Sequence, residues 1–171
     1  LAGRNLSVIG FGSIGRKVAE IGRAFGMNII VATRTVPENC PYEVTDIQTA
    51  AEKADVLTFH CPLNEQTKGI VNSCLLSKMK KTAVLINTSR GGVVCESDLA
   101  EALNSGKIAA AYLDVLEQEP MSPDTPLKNA KNCVITPHTA WAALETRQRL
   151  VDIVCENIRA WQNGSVKNKV N

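Results

Sequence analysis

Leu6-Ser7-Val8-Ile9-Gly10-Phe11-Gly12-Ser13-Ile14-Gly15, continued by an amphipathic run and then Asn28-Ile29-Ile30-Val31-Ala32-Thr33-Arg34, is the stretch that decides the fold. Its apolar start, Leu6 to Ile9, reads as a buried strand. Gly10-x-Gly12-x-x-Gly15 then turns the chain into a helix through Phe25, and Ile29 to Ala32 form a second strand. A glycine triplet alone is a weak signal; placed between a strand and a helix, with a second strand at this distance, it is a strong one. Gly10 permits the tight turn, Gly12 lets the backbone approach a pyrophosphate, and Gly15 lets the helix lie close to the sheet. The N–H groups around Ser13, Ile14 and Gly15, with the positive end of the helix dipole, are suited to hold phosphates.

The 171 residues are enough for one domain with a real core, and 44% hydrophobic with 4% aromatic content suits aliphatic strands. A formal net charge of +2, from 19 basic and 17 acidic residues, gives no electrostatic case for nucleic acid. The basic cluster Lys78-Met79-Lys80-Lys81 falls where a helix should end, a place that favours cations. Six cysteines (Cys40, Cys61, Cys74, Cys95, Cys133, Cys155) are scattered without a C-x-x-C pair, so neither a metal site nor a disulfide framework is indicated. Several lie in apolar runs, as reduced thiols acting as small hydrophobes would, which points to a reducing, cytoplasmic setting. No apolar run reaches membrane-spanning length, so no membrane partner is expected. The start at Leu1, without Met, suggests a piece of something longer.

Along the chain, Thr35 to Tyr42 reads as a loop, followed by a short helix to Lys53 with Thr45 or Asp46 as N-cap. Further strands are expected at Ala54 to His60, Ala83 to Asn87, Ile108 to Leu113 and Asn132 to Thr136. Helices are expected at Asn72 to Lys78, at Asp98 to Asn104 with Ser97 as cap and Gly106 as terminator, and at about Ala142 to Asn163. Glu119 to Pro126 must be an extended loop. This alternation implies an α/β fold, a doubly wound parallel sheet covered on both faces, in a single domain. The stripe Leu150, Val154, Ile158 and Trp161 on the last helix reads as core or interface packing.

In such sheets ligands bind beyond the carboxyl ends of the strands. There lie His60, Cys61 and Pro62; Thr88, Ser89 and Arg90; Asp114, Glu117 and Glu119; and His138 and Trp141. An arginine, carboxylates and a histidine on one edge are what hydride transfer to a 2-keto acid needs. A guanidinium grips the substrate carboxylate, an imidazolium protonates the carbonyl oxygen, and a carboxylate orients the imidazole. His60 reads as wall or structure.

The glycine turn, Ile86-Asn87-Thr88-Ser89-Arg90-Gly91-Gly92, Leu113-Asp114-Val115-Leu116-Glu117-Gln118-Glu119-Pro120 and Pro137-His138-Thr139-Ala140-Trp141 together resemble the coenzyme-binding (Rossmann) domain of D-isomer-specific 2-hydroxyacid dehydrogenases. The Pro-His-x-Ala-Trp-Ala form is most similar to glycerate dehydrogenases, also called hydroxypyruvate reductases. The resemblance implies that Arg90 binds substrate, His138 is the acid–base group and Glu119 is its partner. It also implies that Asp114 lies near the nicotinamide, Cys61 and Pro62 line the cofactor, and Trp141 walls the substrate pocket, offered in some arrangements to a neighbouring subunit of a homodimer. Where this family commonly carries an acid at the end of the second strand, this chain has Thr33, then Arg34 and Thr35. That departure favours NADP, with NAD as the alternative. The resemblance further implies a substrate domain ahead of Leu1, outside this chain, so that residues 1–171 alone bind cofactor without turnover. A non-catalytic, NAD(H)-sensing module like certain transcriptional co-repressors is the rival from another class, and a structural dimerisation domain is compatible with either.

Overall fold

The structure, a computed structural model, describes residues 1–169, and these divide into two compact units meeting at Pro137 and His138. The first unit, residues 1–137, holds a seven-stranded sheet in which every pairing is parallel. Its strands are β1 (Asn5–Ile9), β2 (Asn28–Ala32), β3 (Glu43–Val44), β4 (Val56–Phe59), β5 (Val84–Asn87), β6 (Ala110–Leu113) and β7 (Cys133–Ile135). The order β3-β2-β1-β4-β5-β6-β7 reverses direction between β1 and β4, so the expected doubly wound topology is present.

Helix α1 (Ser13–Ala24) covers one face. It presents Gly15, Ala19 and Gly22 to the sheet, and it needs small residues there because a Cβ at Gly22 would fall 2.6 Å from Leu6 Cδ2. The opposite face carries α2 (Ile47–Lys53), α3 (Ser73–Lys78) and α4 (Glu96–Asn104). Their buried Ala50, Ala51, Leu75, Leu76 and Leu99 join Leu57, Phe59 and Leu85 in the larger core. Ser7, fully buried on β1, donates its hydroxyl to the Ala50 carbonyl at 2.7 Å, which removes the cost of its burial. Coverage is uneven. The β6–β7 connection is a loop with a 3-10 turn, Pro126–Asn129, in place of a crossover helix, and Tyr112 and Val134 remain 47% and 50% exposed.

The expected short helix to Lys53 is present with one of its two expected caps, while other elements are shifted. α2 is capped by Asp46, which accepts from the N–H groups of Gln48 and Thr49, and not by Thr45. α4 starts at Glu96, two residues earlier than expected, with Cys95 at the cap and no side-chain cap bond, so Ser97 is inside the helix. The two-residue β3 interrupts what reads as a continuous loop and coil. Only Cys61 among the cysteines is buried, while Cys74 and Cys155 are exposed; all six are free.

The second unit, described over residues 138–169, is built on α5 (Leu144–Gln162). Its stripe of Leu150, Val154, Ile158 and Trp161 is exposed. Among the described residues no helix is long and apolar enough to cross a membrane.

Candidate active site

The turn from β1 into α1 is built by two close approaches and one open side. A Cβ at Gly10 would sit 2.7 Å from the His60 carbonyl and the Cys61 nitrogen, and its φ of +92° excludes other residues as well. A Cβ at Gly15 would lie 2.1 Å from the Gly10 oxygen. Gly12 differs: among the described residues, its chain neighbours aside, nothing lies within 4 Å of where its Cβ would be. No protein neighbour therefore demands a glycine there. Gly12 is also the N-cap of α1, with no capping side chain and no acid in the first turn. The first N–H groups of a helix have no acceptor within it, so this end presents donors and a positive dipole to whatever enters. The residues fit a dinucleotide, whose pyrophosphate would be held by the N–H groups of this helix end.

From this turn a cleft of about 420 Å³ opens between the ends of β2 and β4. One wall carries Thr33, Arg34 and Thr35; Thr33 Oγ1 donates to the Thr35 carbonyl at 3.4 Å and Arg34 is exposed. The other wall carries His60, Cys61 and Pro62. His60 Nε2 lies 3.0 Å from Thr58 Oγ1, and burial pushes its pKa down, so it is neutral near pH 7 and serves as wall. Burial likewise pushes the Cys61 thiol up, which makes it a lining group and a poor nucleophile. Asn64 and Thr67 shape the turn beyond Pro62: Asn64 Oδ1 accepts from the N–H groups of Gln66 and Thr67, and Thr67 Oγ1 donates to the Pro62 carbonyl at 2.6 Å.

Past β5, the fully buried Asn87 shapes the segment that presents Arg90. Its Oδ1 accepts from the N–H and the hydroxyl of Ser89, and its Nδ2 donates to the Arg90 carbonyl at 2.9 Å. The exposed Arg90 guanidinium donates to the Ser89 carbonyl at 2.7 Å; Thr88 is exposed beside it. The Asp114 N–H donates to the Asn87 carbonyl, and Asp114 Oδ1 accepts from Thr136 Oγ1 at 2.5 Å, which ties the ends of β5, β6 and β7 together. In the loop after β6, Glu119 Oε1 accepts from the Leu116 N–H at 3.0 Å.

In the second unit, His138 has φ +53°, left-handed backbone that a non-glycine residue holds at a cost of about 1–3 kcal/mol. Trp141 braces it, donating its indole N–H to the His138 carbonyl at 2.9 Å, while the Ala142 N–H donates to Thr139. The indole is still half exposed.

The family model for the D-isomer specific 2-hydroxyacid dehydrogenase NAD binding domain matches residues 1–140. The chain belongs to this family. It is 43% identical, over 176 aligned positions, to the hydroxypyruvate reductase of Blautia hydrogenotrophica, covering 100% of this chain and 54% of that protein. Among solved structures, an acyclic imino acid reductase (Bsp5) in complex with NADPH and D-Arg matches with a TM-score of 0.92 and 34% identity, covering 99% of this chain and 54% of that one. The NAD-complexed D-isomer specific 2-hydroxyacid dehydrogenase of Lactobacillus delbrueckii ssp. bulgaricus matches with a TM-score of 0.88 and 30% identity, covering 98% and 56%. The chain thus spans about half the length of the relatives it matches.

As an NAD(P)-binding domain of this family, the chain gathers Gly10, Gly12, Thr33 to Thr35, Cys61 and Pro62 around one cleft. Ser89, Arg90 and Asp114 are joined through Asn87. Glu119 is held through Leu116. Sequence reasoning passed over Asn87, Asn64, Thr67 and Thr136. The Asn-x-x-Thr spacing after Pro62 is a legible Asx-turn signal; Thr136 acts through the distant Asp114, whereas Asn87 acts through its near neighbours Ser89 and Arg90.

Proposed function

We propose that this chain is the coenzyme domain of an enzyme that reduces a 2-keto acid, hydroxypyruvate or glyoxylate, to the D-2-hydroxy acid, using NADPH in preference to NADH. The observation that carries the reading is Gly12, open on its free side above an uncapped helix terminus. Bound there, the nicotinamide cofactor supplies the hydride. The rest of the chemistry belongs to side chains of this chain. Arg90 takes the substrate carboxylate in paired, charge-assisted hydrogen bonds, and Trp141 walls the pocket. His138 gives a proton to the carbonyl oxygen as the carbon accepts hydride, and Glu119 stabilises the charged imidazole before that transfer. Asp114 lies on the nicotinamide side. The uncharged Thr33 and Thr35 with the cationic Arg34 suit a 2′-phosphate better than two free ribose hydroxyls.

On the same reading the full-length protein carries a substrate domain ahead of Leu1, works as a cytoplasmic homodimer, and uses closure of the two domains to exclude water. The apolar stripe of α5, exposed here, supports contacts with parts outside this chain. The enzyme names of the relatives favour turnover over cofactor sensing. Calorimetry on this chain should show dinucleotide binding with hydroxypyruvate reduction near background, and the full-length protein should turn hydroxypyruvate over with NADPH. A full-length protein that binds NADPH tightly but reduces neither keto acid would return the reading to a sensing module.

A further inference from the structure

Glu96 stands in the first turn of α4, where a carboxylate ordinarily serves its own helix. Here both of its oxygens reach across to another element. Oε1 accepts from the Glu117 N–H at 2.8 Å, and Oε2 accepts from Thr125 Oγ1 at 2.6 Å. The two bonds grip the loop between β6 and β7 at two points flanking Glu119, which itself holds the Leu116 N–H. The gripped segment touches the neighbouring loop as well: the Gly91 backbone lies against the Leu116 carbonyl and the Glu117 nitrogen, closely enough that a Cβ would overlap both. Glu96 thus fixes the position of Glu117, and through it the backbone against which Gly91, next to Arg90, is seated. Glu96, Glu117 and Asp124 line a hollow of about 250 Å³ there. Among the described residues no group of three such side chains is placed to hold a metal ion, so the carboxylate's work is the clamp.

We propose that Glu96 is a positioning residue for the reaction, one carboxylate that sets both Glu119 and Arg90 by clamping the backbone between them. The inference rests on the roles given above to Arg90 and Glu119. Glu96 is not among the residues lining the cofactor cleft; it holds the loop to which both groups are registered, and small displacements of reacting groups are expensive in rate.

The test uses the full-length enzyme with steady-state kinetics of hydroxypyruvate reduction and the dissociation constant for NADPH. Glu96→Ala should lower kcat and raise the KM for the keto acid together, with kcat/KM falling about tenfold or more, while NADPH affinity stays at the parent's value. Glu96→Gln should recover most of the loss, because its amide oxygen still accepts from Glu117 and its NH2 can donate to Thr125 Oγ1. Thr125→Val, losing one of the two grips, should fall between. Parent-like kinetics in Glu96→Ala, a Gln variant as impaired as Ala, or a parallel loss of NADPH binding would each overturn the proposal. Arg90→Ala and Glu119→Gln are measured alongside. If both are impaired and Glu96→Ala is not, the clamp alone has failed; if neither is impaired, the reading of the site has failed and the clamp with it.

Discussion

Gly91 is seated against Leu116: a Cβ at residue 91 would fall 1.8 Å from the Leu116 carbonyl oxygen and 2.5 Å from the Glu117 nitrogen. Both neighbours are backbone, so no side-chain rotamer relieves the overlap. The segment that presents Arg90 and the loop that carries Glu119 are therefore one packed piece. Gly91→Ala must push them apart. It is expected to destabilise the fold by about 1–3 kcal/mol, the usual penalty of overpacking, and to weaken substrate capture in the full-length enzyme. Denaturant titration and the KM for hydroxypyruvate measure the two effects. A variant matching the parent in both would show that the two loops separate freely.

The glycine turn separates fold from function by position. Gly15→Ala drives a methyl into the Gly10 carbonyl and should lower thermal stability, again by about 1–3 kcal/mol. Gly12→Ala meets nothing within 4 Å among the described residues beyond its chain neighbours, so its melting temperature should stay near the parent's while NADPH affinity falls. Thermal denaturation and calorimetry on this chain tell them apart. A Gly12→Ala variant that binds NADPH normally would mean the phosphates lie elsewhere.

Two titrations contribute to the acid side of the stability profile in separate windows. Burial lowers the folded pKa of His60 below its ordinary 6.5, so the unfolded chain takes the proton first. Stability is whole above that ordinary value and declines as pH falls from it towards the lowered one. Asp55 accepts from the Asn5 N–H at 2.8 Å and from Lys80 Nζ at 2.9 Å, with the first bond the larger cause of its lowered pKa. Its contribution is whole above its ordinary 3.8 and is lost only as pH falls through the lowered folded value. Denaturation free energies followed across pH should lose slope below 6.5 in His60→Gln and below 3.8 in Asp55→Asn, relative to the parent. Slopes unchanged in both variants would assign the acid limb to other groups.

The sheet was largely legible because its signals are local. Apolar runs bounded by Pro62 and Pro137 and the glycine spacing place β1, β4 and β7 to within two residues. β3 escaped because two residues, Glu43 and Val44, carry no period; only pairing with Ile30 and Val31 makes them a strand. The start of α4 was misplaced for a related reason. Ser97 is a good capping residue by type, but the helix is set by its neighbours' distant duties: Glu96 holds residues 21 and 29 positions away, and Asp98 accepts from the Ser73 N–H. In the site, Arg90 and His138 can be proposed from sequence because the chemistry of their residue types is intrinsic. Asn87, whose role lies entirely in the hydrogen bonds it makes, cannot.

On the proposed reading, cofactor choice turns on the end of β2. An acid there accepts hydrogen bonds from the ribose hydroxyls and repels a 2′-phosphate. This chain has the half-buried Thr33 with the exposed Arg34 beside it. The one acid among the residues lining the cleft, Asp46, serves as the cap of α2, its oxygens accepting from Gln48, Thr49 and the Thr49 hydroxyl. Arg34 can therefore meet a phosphate without a competing carboxylate partner among the residues lining it. A hydrogen bond to a charged group contributes about 1.5–3 kcal/mol, tenfold or more in affinity. Arg34→Ala should weaken NADPH by at least that factor and leave NADH nearly unchanged, and Thr33→Asp should invert the preference. Calorimetric titration of both nucleotides into both variants measures this directly. Equal losses for NADPH and NADH in Arg34→Ala would show that the guanidinium does not read the 2′-phosphate.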